Sequence, residues 1–165
     1  GTVNSDPPML SIAVRPERYS HGIIADRKEF TVNLVTRRLL RAADFCGVKS
    51  GRDTDKFAAA GLTAAPASAI AAPLIAESPV NIECRVTKTI PLGSHDLFLA
   101  EIVAVNVDES LLDPKGRLRL DRAGLVCYNH GEYFALPGRA SGYFGYSVRK
   151  RKKLKRSMKK APRKK

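Results

Sequence analysis

Arg15, Arg18, Tyr19 and Ser20 fall within six residues, between an apolar run, Met9 to Val14, and a stretch with helical character. A strand that ends in arginine and feeds a helix can hold an anion. The guanidinium supplies charge, and the first turn of the helix supplies unpaired N–H groups and a positive dipole end. The same spacing also serves an ordinary strand–turn–helix. A second group, Ser50-Gly51-Arg52-Asp53-Thr54-Asp55-Lys56, is a mixed-charge loop entering a helix. There Gly51 permits close backbone approach, and Lys56 offers a point charge to a phosphate or to Asp53 and Asp55. His95 stands at a turn beside Asp96, and His21 stands beside Ser20. An imidazole that titrates near neutrality can donate or accept at either place. Thr2-Val3-Asn4-Ser5 precedes Pro7-Pro8, which hold the chain extended and leave short polar side chains and peptide groups free to hydrogen-bond a ligand edge. The sequence contains no nucleophile elbow, no catalytic-triad signature, no metal-ligand spacing and no Gly-rich dinucleotide fingerprint.

The elements that must position these groups are mostly strands. Met9–Val14 reads as a buried strand, and Ser20 as the N-cap of a helix running to about Lys28. Phe30–Val35 alternates apolar and polar residues, as a strand with one dry face does. Thr36 is the expected cap of a helix through Phe45, stopped by Gly47, and Thr54 or Asp55 opens a short helix ending at Gly61. Residues 62–79 are rich in Ala and Pro and predict a packed connection with a short strand. Asn81–Ile90 and Leu97–Val107, joined at Pro91-Leu92-Gly93-Ser94, predict a hairpin. Leu125–Tyr128 and Glu132–Leu136 predict a second hairpin turned at Asn129-His130-Gly131. About six strands with inserted helices give a mainly β, antiparallel barrel.

The chain has 165 residues and a net charge of +13, which predicts one domain with a real core. The charge is unevenly spread. Residues 149–165 carry 12 Lys or Arg and no acid, leaving 17 basic against 16 acidic residues in 1–148. The expected organisation is a nearly neutral domain, 1–148, and a polybasic tail, 149–165, too rich in like charge to fold alone. The tail implies weak, salt-sensitive contact with nucleic acid or another anionic surface, although residues 149–165 contain no aromatic side chain for base stacking. No apolar run is long enough to span a bilayer. Three scattered cysteines, Cys46, Cys84 and Cys127, predict reduced thiols and a cytoplasmic setting.

Five blocks carry a resemblance. Gly1 to Pro8, Arg15 to Ser20, Phe30 to Asn33, Ser50 to Phe57 and Gly93 to Glu101 resemble, in order, segments of the flavin reductase-like or flavoredoxin family. The likeness covers most of residues 1–107, weakens from about 108 and is lost from 149. It implies an FMN-binding split β-barrel, antiparallel and Greek-key-like, that works as a homodimer. Because the resemblance starts inside a family block, this chain is expected to lack the N-terminal strands. It implies FMN as cofactor, NAD(P)H as transient donor, and free flavin or an acceptor protein as acceptor. By resemblance, Arg15, Tyr19, Ser20 and His21 approach the phosphate and ribityl end, with Ser50, Asp55 and Lys56. Thr2, Val3 and Asn4 lie along the ring, and His95 reaches the flavin across the dimer. The family's block more often reads Gly-Asp-His, and Ser94 departs from it. No general acid or base is implied, since the cofactor performs the hydride step. The competing reading is a non-catalytic binding module attached through its basic tail.

Overall fold

The computed structural model describes residues 1–149 apart from Pro137, so all of the expected tail beyond Arg149 lies outside the described residues. Its centre is a five-stranded antiparallel sheet in the order β1-β2-β7-β6-β3. The strands are β1 (Thr2–Ser5), β2 (Pro8–Val14), β3 (Glu29–Asn33), β6 (Val80–Pro91) and β7 (Asp96–Val107). Helix α1 (Tyr19–Arg27) follows β2. Helices α2 (Leu40–Val48) and α3 (Lys56–Ala60) follow β3. Two short hairpins, β4 (Ala64–Ala65) with β5 (Leu74–Ile75) and β8 (Val126–Asn129) with β9 (Glu132–Ala135), complete the order.

One face of the sheet is the core. Leu10, Phe30, Cys84, Phe98 and Ala100 alternate along their strands and close against Ile24 of α1, the period of two expected of pleated strands. The other face of β3 and β6 is also covered, and its polar residues do the covering. Glu29 accepts from Ala71 N, Thr31 donates to Pro73 O, and Asn33 accepts from Ile75 N. From β6, Arg85 donates to Ala69 O, and Glu83 receives Ser68 N and Ala69 N. The Ala- and Pro-rich connection is therefore strapped to the sheet by its own backbone groups, which answers the need to pair them. Two register shifts in β6, at Glu83/Cys84 and Val86/Lys88, interrupt the ladder with β7, as bulges do.

Several expected helix ends move. Ser20 does not cap α1. Arg18 N donates to Arg15 O, this turn starts the helical rise early, and Ser20 falls inside the helix with Arg18 at the N-cap and no side-chain cap. Thr36 does not cap α2 either, because it is held in a bridge to Leu125. A turn closed by Leu39 N and Thr36 O intervenes, and α2 then runs through Gly47 to Val48. At α3 the expectation holds. Asp55 accepts from Phe57 N and Ala58 N, worth about 1 kcal/mol, and Gly61 closes the helix at φ 63°. The second hairpin turns at His130 and Gly131, both at positive φ, as a two-residue turn matched to strand twist requires. Among the described residues, no helix is long and apolar enough to cross a membrane, and no group of His, Cys, Asp and Glu could hold a metal ion.

Candidate functional site

The sheet delivers β2 to the start of α1, and α1 faces the end of α2 and the loop into α3. Between them lies a cleft of about 750 Å³, a size ordinary for small-molecule sites. Arg15, Arg18, Tyr19 and Ser20 line one side, and Lys49, Ser50, Gly51, Thr54, Asp55 and Lys56 the other. Two segments some thirty residues apart in the sequence thus form one site. Four cations line it, against the carboxylates of Glu17 and Asp55.

Each polar group has a definite state. Arg15 Nε lies 2.8 Å from Glu17 Oε1, in an exposed pair that contributes little to stability. Lys56 Nζ donates to Cys46 O at 2.6 Å, which ties α3 to the end of α2 and holds the ammonium at the cleft floor. Ser50 Oγ accepts from Arg52 N and shapes the loop. The Asp55 carboxylate is engaged as the α3 cap. With no side chain capping α1, the N–H groups of Tyr19 and Ser20 find no acceptor among the described residues. They stand at the positive end of the helix dipole.

Tyr19 joins the two walls. A Cβ added to Gly51 would sit 3.2 Å from Tyr19 Cδ1, so the ring packs directly on the glycine backbone. Arg52 Cζ lies 6.0 Å from the ring centroid, a cation–π distance. A side chain at 51 would require the Tyr19 ring to give by a few tenths of an ångström.

Other expected residues are placed elsewhere. His21 points away from the cleft: its Nε2 lies 2.8 Å from Asp96 Oδ2, and its ring meets Phe98 edge-on. It fastens α1 to the start of β7. His95 sits in the exposed turn, where Nδ1 lies 3.0 Å from Ser94 Oγ and its carbonyl accepts from Leu92 N. Thr2, Val3 and Asn4 are not frayed, because Thr2 pairs with Leu10 and Asn4 with Met9 of β2, with Val3 at a shift in register between them. Thr2 therefore lies about five strand residues from Arg15, roughly 16 Å, beside a separate apolar hollow with Leu10, Ile12, Val32, Ile82 and Ile102. His130 is a turn residue. Sequence reasoning missed Cys46, Gly47, Lys49 and Ile23 as lining residues. No local signal marks them, since their place depends on where α2 ends relative to α1.

The thiols differ in state. Burial pushes the Cys84 thiol up to about 11, whereas Cys127 is exposed and Cys46 partly so. A disulfide-exchange reagent is expected to titrate Cys46 and Cys127 in the native protein and Cys84 only on unfolding. Equal reactivity of all three would contradict the packing of β6.

The profile of the flavin reductase-like domain family matches residues 1–137. Flavoredoxin of Desulfovibrio vulgaris (Miyazaki F) is 32% identical, with a TM-score of 0.82 over 89% of this chain and 80% of that one. An FMN-binding protein from Thermus thermophilus, solved with 1-cyclohex-2-enone, is 26% identical, with a TM-score of 0.73 over 87% and 78%. The NADPH-flavin oxidoreductase of Streptomyces viridifaciens is 29% identical over 61% of this chain and 52% of its own length. The chain spans between 38% and 62% of the length of three archaeal relatives that it matches. The five-stranded antiparallel sheet with inserted helices is the split-barrel fold of these proteins.

Proposed function

The chain belongs to the flavin reductase-like family, and on that premise we propose that it is an FMN-binding flavoprotein that takes electrons from NAD(P)H and passes them to free flavin or to an acceptor protein. The observation that carries the reading is the cleft. A phosphate needs cations, hydroxyls and free N–H groups, and Arg15, Lys56, Ser20, Ser50 and the first turn of α1 converge there. In this reading Arg15 and Lys56 neutralise the phosphate, while the hydroxyls of Ser20 and Ser50 and the α1 N–H groups orient it and the ribityl chain. Tyr19 walls the site, and Asp55 acts by holding α3 and Lys56 in place.

The bound flavin supplies hydride acceptance and electron delivery, and the protein supplies position and electrostatics. The ring extends toward the β1 edge, where Thr2, Val3 and Asn4 offer polar groups to it. His95 of a second copy approaches from the other side, so the working unit is a homodimer. His21 does not contact the flavin in this reading, since Asp96 engages it. Three thiols free of disulfides favour a cytoplasmic setting.

The test is direct. Protein incubated with FMN and desalted is expected to keep a flavin absorption band and to oxidise NAD(P)H when an acceptor is added. FMN is also expected to slow labelling of Cys46 and leave Cys127 unaffected. Protein that retains no flavin and shows no stimulated oxidation would overturn the proposal.

A further inference from the structure

A second cavity, of about 550 Å³, adjoins the cleft, also within the range of small-molecule sites. Arg18, Tyr19 and Ile23 line both, so the two spaces are continuous. The floor of the second is one face of α1. Tyr19, Gly22, Ile23, Asp26 and Arg27 recur every three or four residues, the spacing that aligns side chains along a helix. Arg52 closes the space from the loop between α2 and α3. Three guanidiniums thus stand around it against one carboxylate, Asp26. Arg27 lies 3.7 Å from that carboxylate in an exposed pair. Arg18 and Arg52 have no ion-pair partner among the described residues. The walls are not purely ionic, since Tyr19 and Ile23 are both close to half exposed. Gly22 leaves the helix surface bare, and a Cβ added there would meet no atom within 4 Å. Glycine weakens a helix interior relative to alanine, yet no neighbour packed against Gly22 requires it. Bare helix surface is what a flat ligand lying along α1 needs.

We propose that this cavity holds the adenosine phosphate half of FAD, so that the chain takes FAD across both spaces and FMN in the first alone. The inference rests on the flavin reading of the cleft and extends it. FAD is FMN with AMP bonded through its phosphate. Its second phosphate therefore leaves the cleft at Arg18, which belongs to both spaces, and a guanidinium matches phosphate in charge and geometry. The purine lies on the bare surface over Gly22 and against Ile23. Arg52 stacks on its face, as guanidinium planes do on aromatic rings. Continuity with the cleft favours an occupant covalently joined to the FMN phosphate over a separate mononucleotide. The unpaired arginines favour one that brings a further phosphate over a neutral extension.

The experiment uses the full chain. FMN and FAD affinities are read by titration calorimetry, and NADPH by its KM with FMN bound. Gly22→Leu fills the cavity from α1, and Gly22 does not line the cleft. This variant should weaken FAD binding by about tenfold or more and leave FMN within about twofold. Arg52→Gln should weaken FAD by about tenfold, the worth of one charge-assisted contact, with FMN again held. Leucine favours a helix over glycine, so a melting temperature no lower than the parent's confirms that Gly22→Leu folds. Equal weakening of FMN and FAD would overturn the proposal, as would FAD binding unaffected by either variant. A raised KM for NADPH with FAD affinity unchanged would assign the cavity to the donor's adenosine phosphates and overturn it too. A parent protein that binds FMN but not FAD refutes this inference alone. One that binds neither flavin refutes the reading of the cleft along with it.

Discussion

Replacing Arg15 and Lys56 together by glutamine is expected to weaken FMN binding by roughly a hundredfold while leaving riboflavin binding nearly unchanged. Each charged contact to a phosphate is worth about 1.5–3 kcal/mol. Arg15 is half exposed and paired with Glu17, so its contribution is taken near or below the lower limit. The pair together then supplies about 3 kcal/mol, which is two decades in affinity. Riboflavin lacks the phosphate and does not sense the change. Glutamine at 56 keeps an N–H donor on the side of Cys46 O, where Lys56 ties α3 to α2, and the riboflavin arm reports any change in the shape of the cleft. Fluorescence titration with both ligands decides the matter. If FMN and riboflavin lose affinity equally, the cleft does not hold the phosphate. If neither loses affinity, the flavin binds elsewhere.

Glu83 is the second site of large effect. It is fully buried, with no solvent exposure, and no cation faces it among the described residues. Burial alone would push its carboxyl up. Hydrogen bonds from Ser68 N, Ser68 Oγ, Asn106 Nδ2 and Ala69 N more than offset this and hold it at about 2. The ordinary value is 4.5, so the folded protein favours the charged form. Its contribution is complete above about pH 5 and is lost as the pH falls from 4.5 toward 2. Glu83→Gln turns an amide donor toward a nest of donors and is expected to cost about 3 kcal/mol, the range for a lost buried charged hydrogen bond. Urea melts at neutral pH should show that loss. The same melts repeated down to acid pH should show that the variant is less acid-sensitive than the parent. A variant as stable as the parent, or one with the parent's full acid sensitivity, would mean that Glu83 does not anchor the strap over β6.

The sequence by itself determined the longer strands, but not β1, whose polar residues carry no strand pattern. Alternation in Phe30–Val35 and the long apolar stretches on either side of Gly93 specify pairing because a pleated strand has a side-chain period of two, and a slip of one residue would expose the core face. The observed registers, such as Phe30 with Cys84 and Ile12 with Phe98, follow from it. The helix start at Thr54 or Asp55 and the Gly61 stop were equally legible, since each rests on local chemistry, and the structure selects Asp55 as the cap. The resemblance carried the family.

Helix starts were less legible where a tertiary bond competes. Thr36 has the right side chain for a cap, but a bridge to Leu125, nearly ninety residues on, holds it extended. His21 lies next to Ser20 in the chain, yet one residue along a helix turns the side chain by about 100°. That rotation carries it out of the cleft and onto Asp96.

Only the tertiary structure decided that Arg15 and Lys56 share a cleft, that Glu83 is a buried anchor rather than a surface charge, and that the turn at 143–146 leaves Tyr143 and Phe144 exposed. The reason is common to all three. Burial and proximity between distant segments depend on where whole elements dock, and docking is set by the packed faces of the sheet, not by the residues that end up facing one another across the gaps between elements.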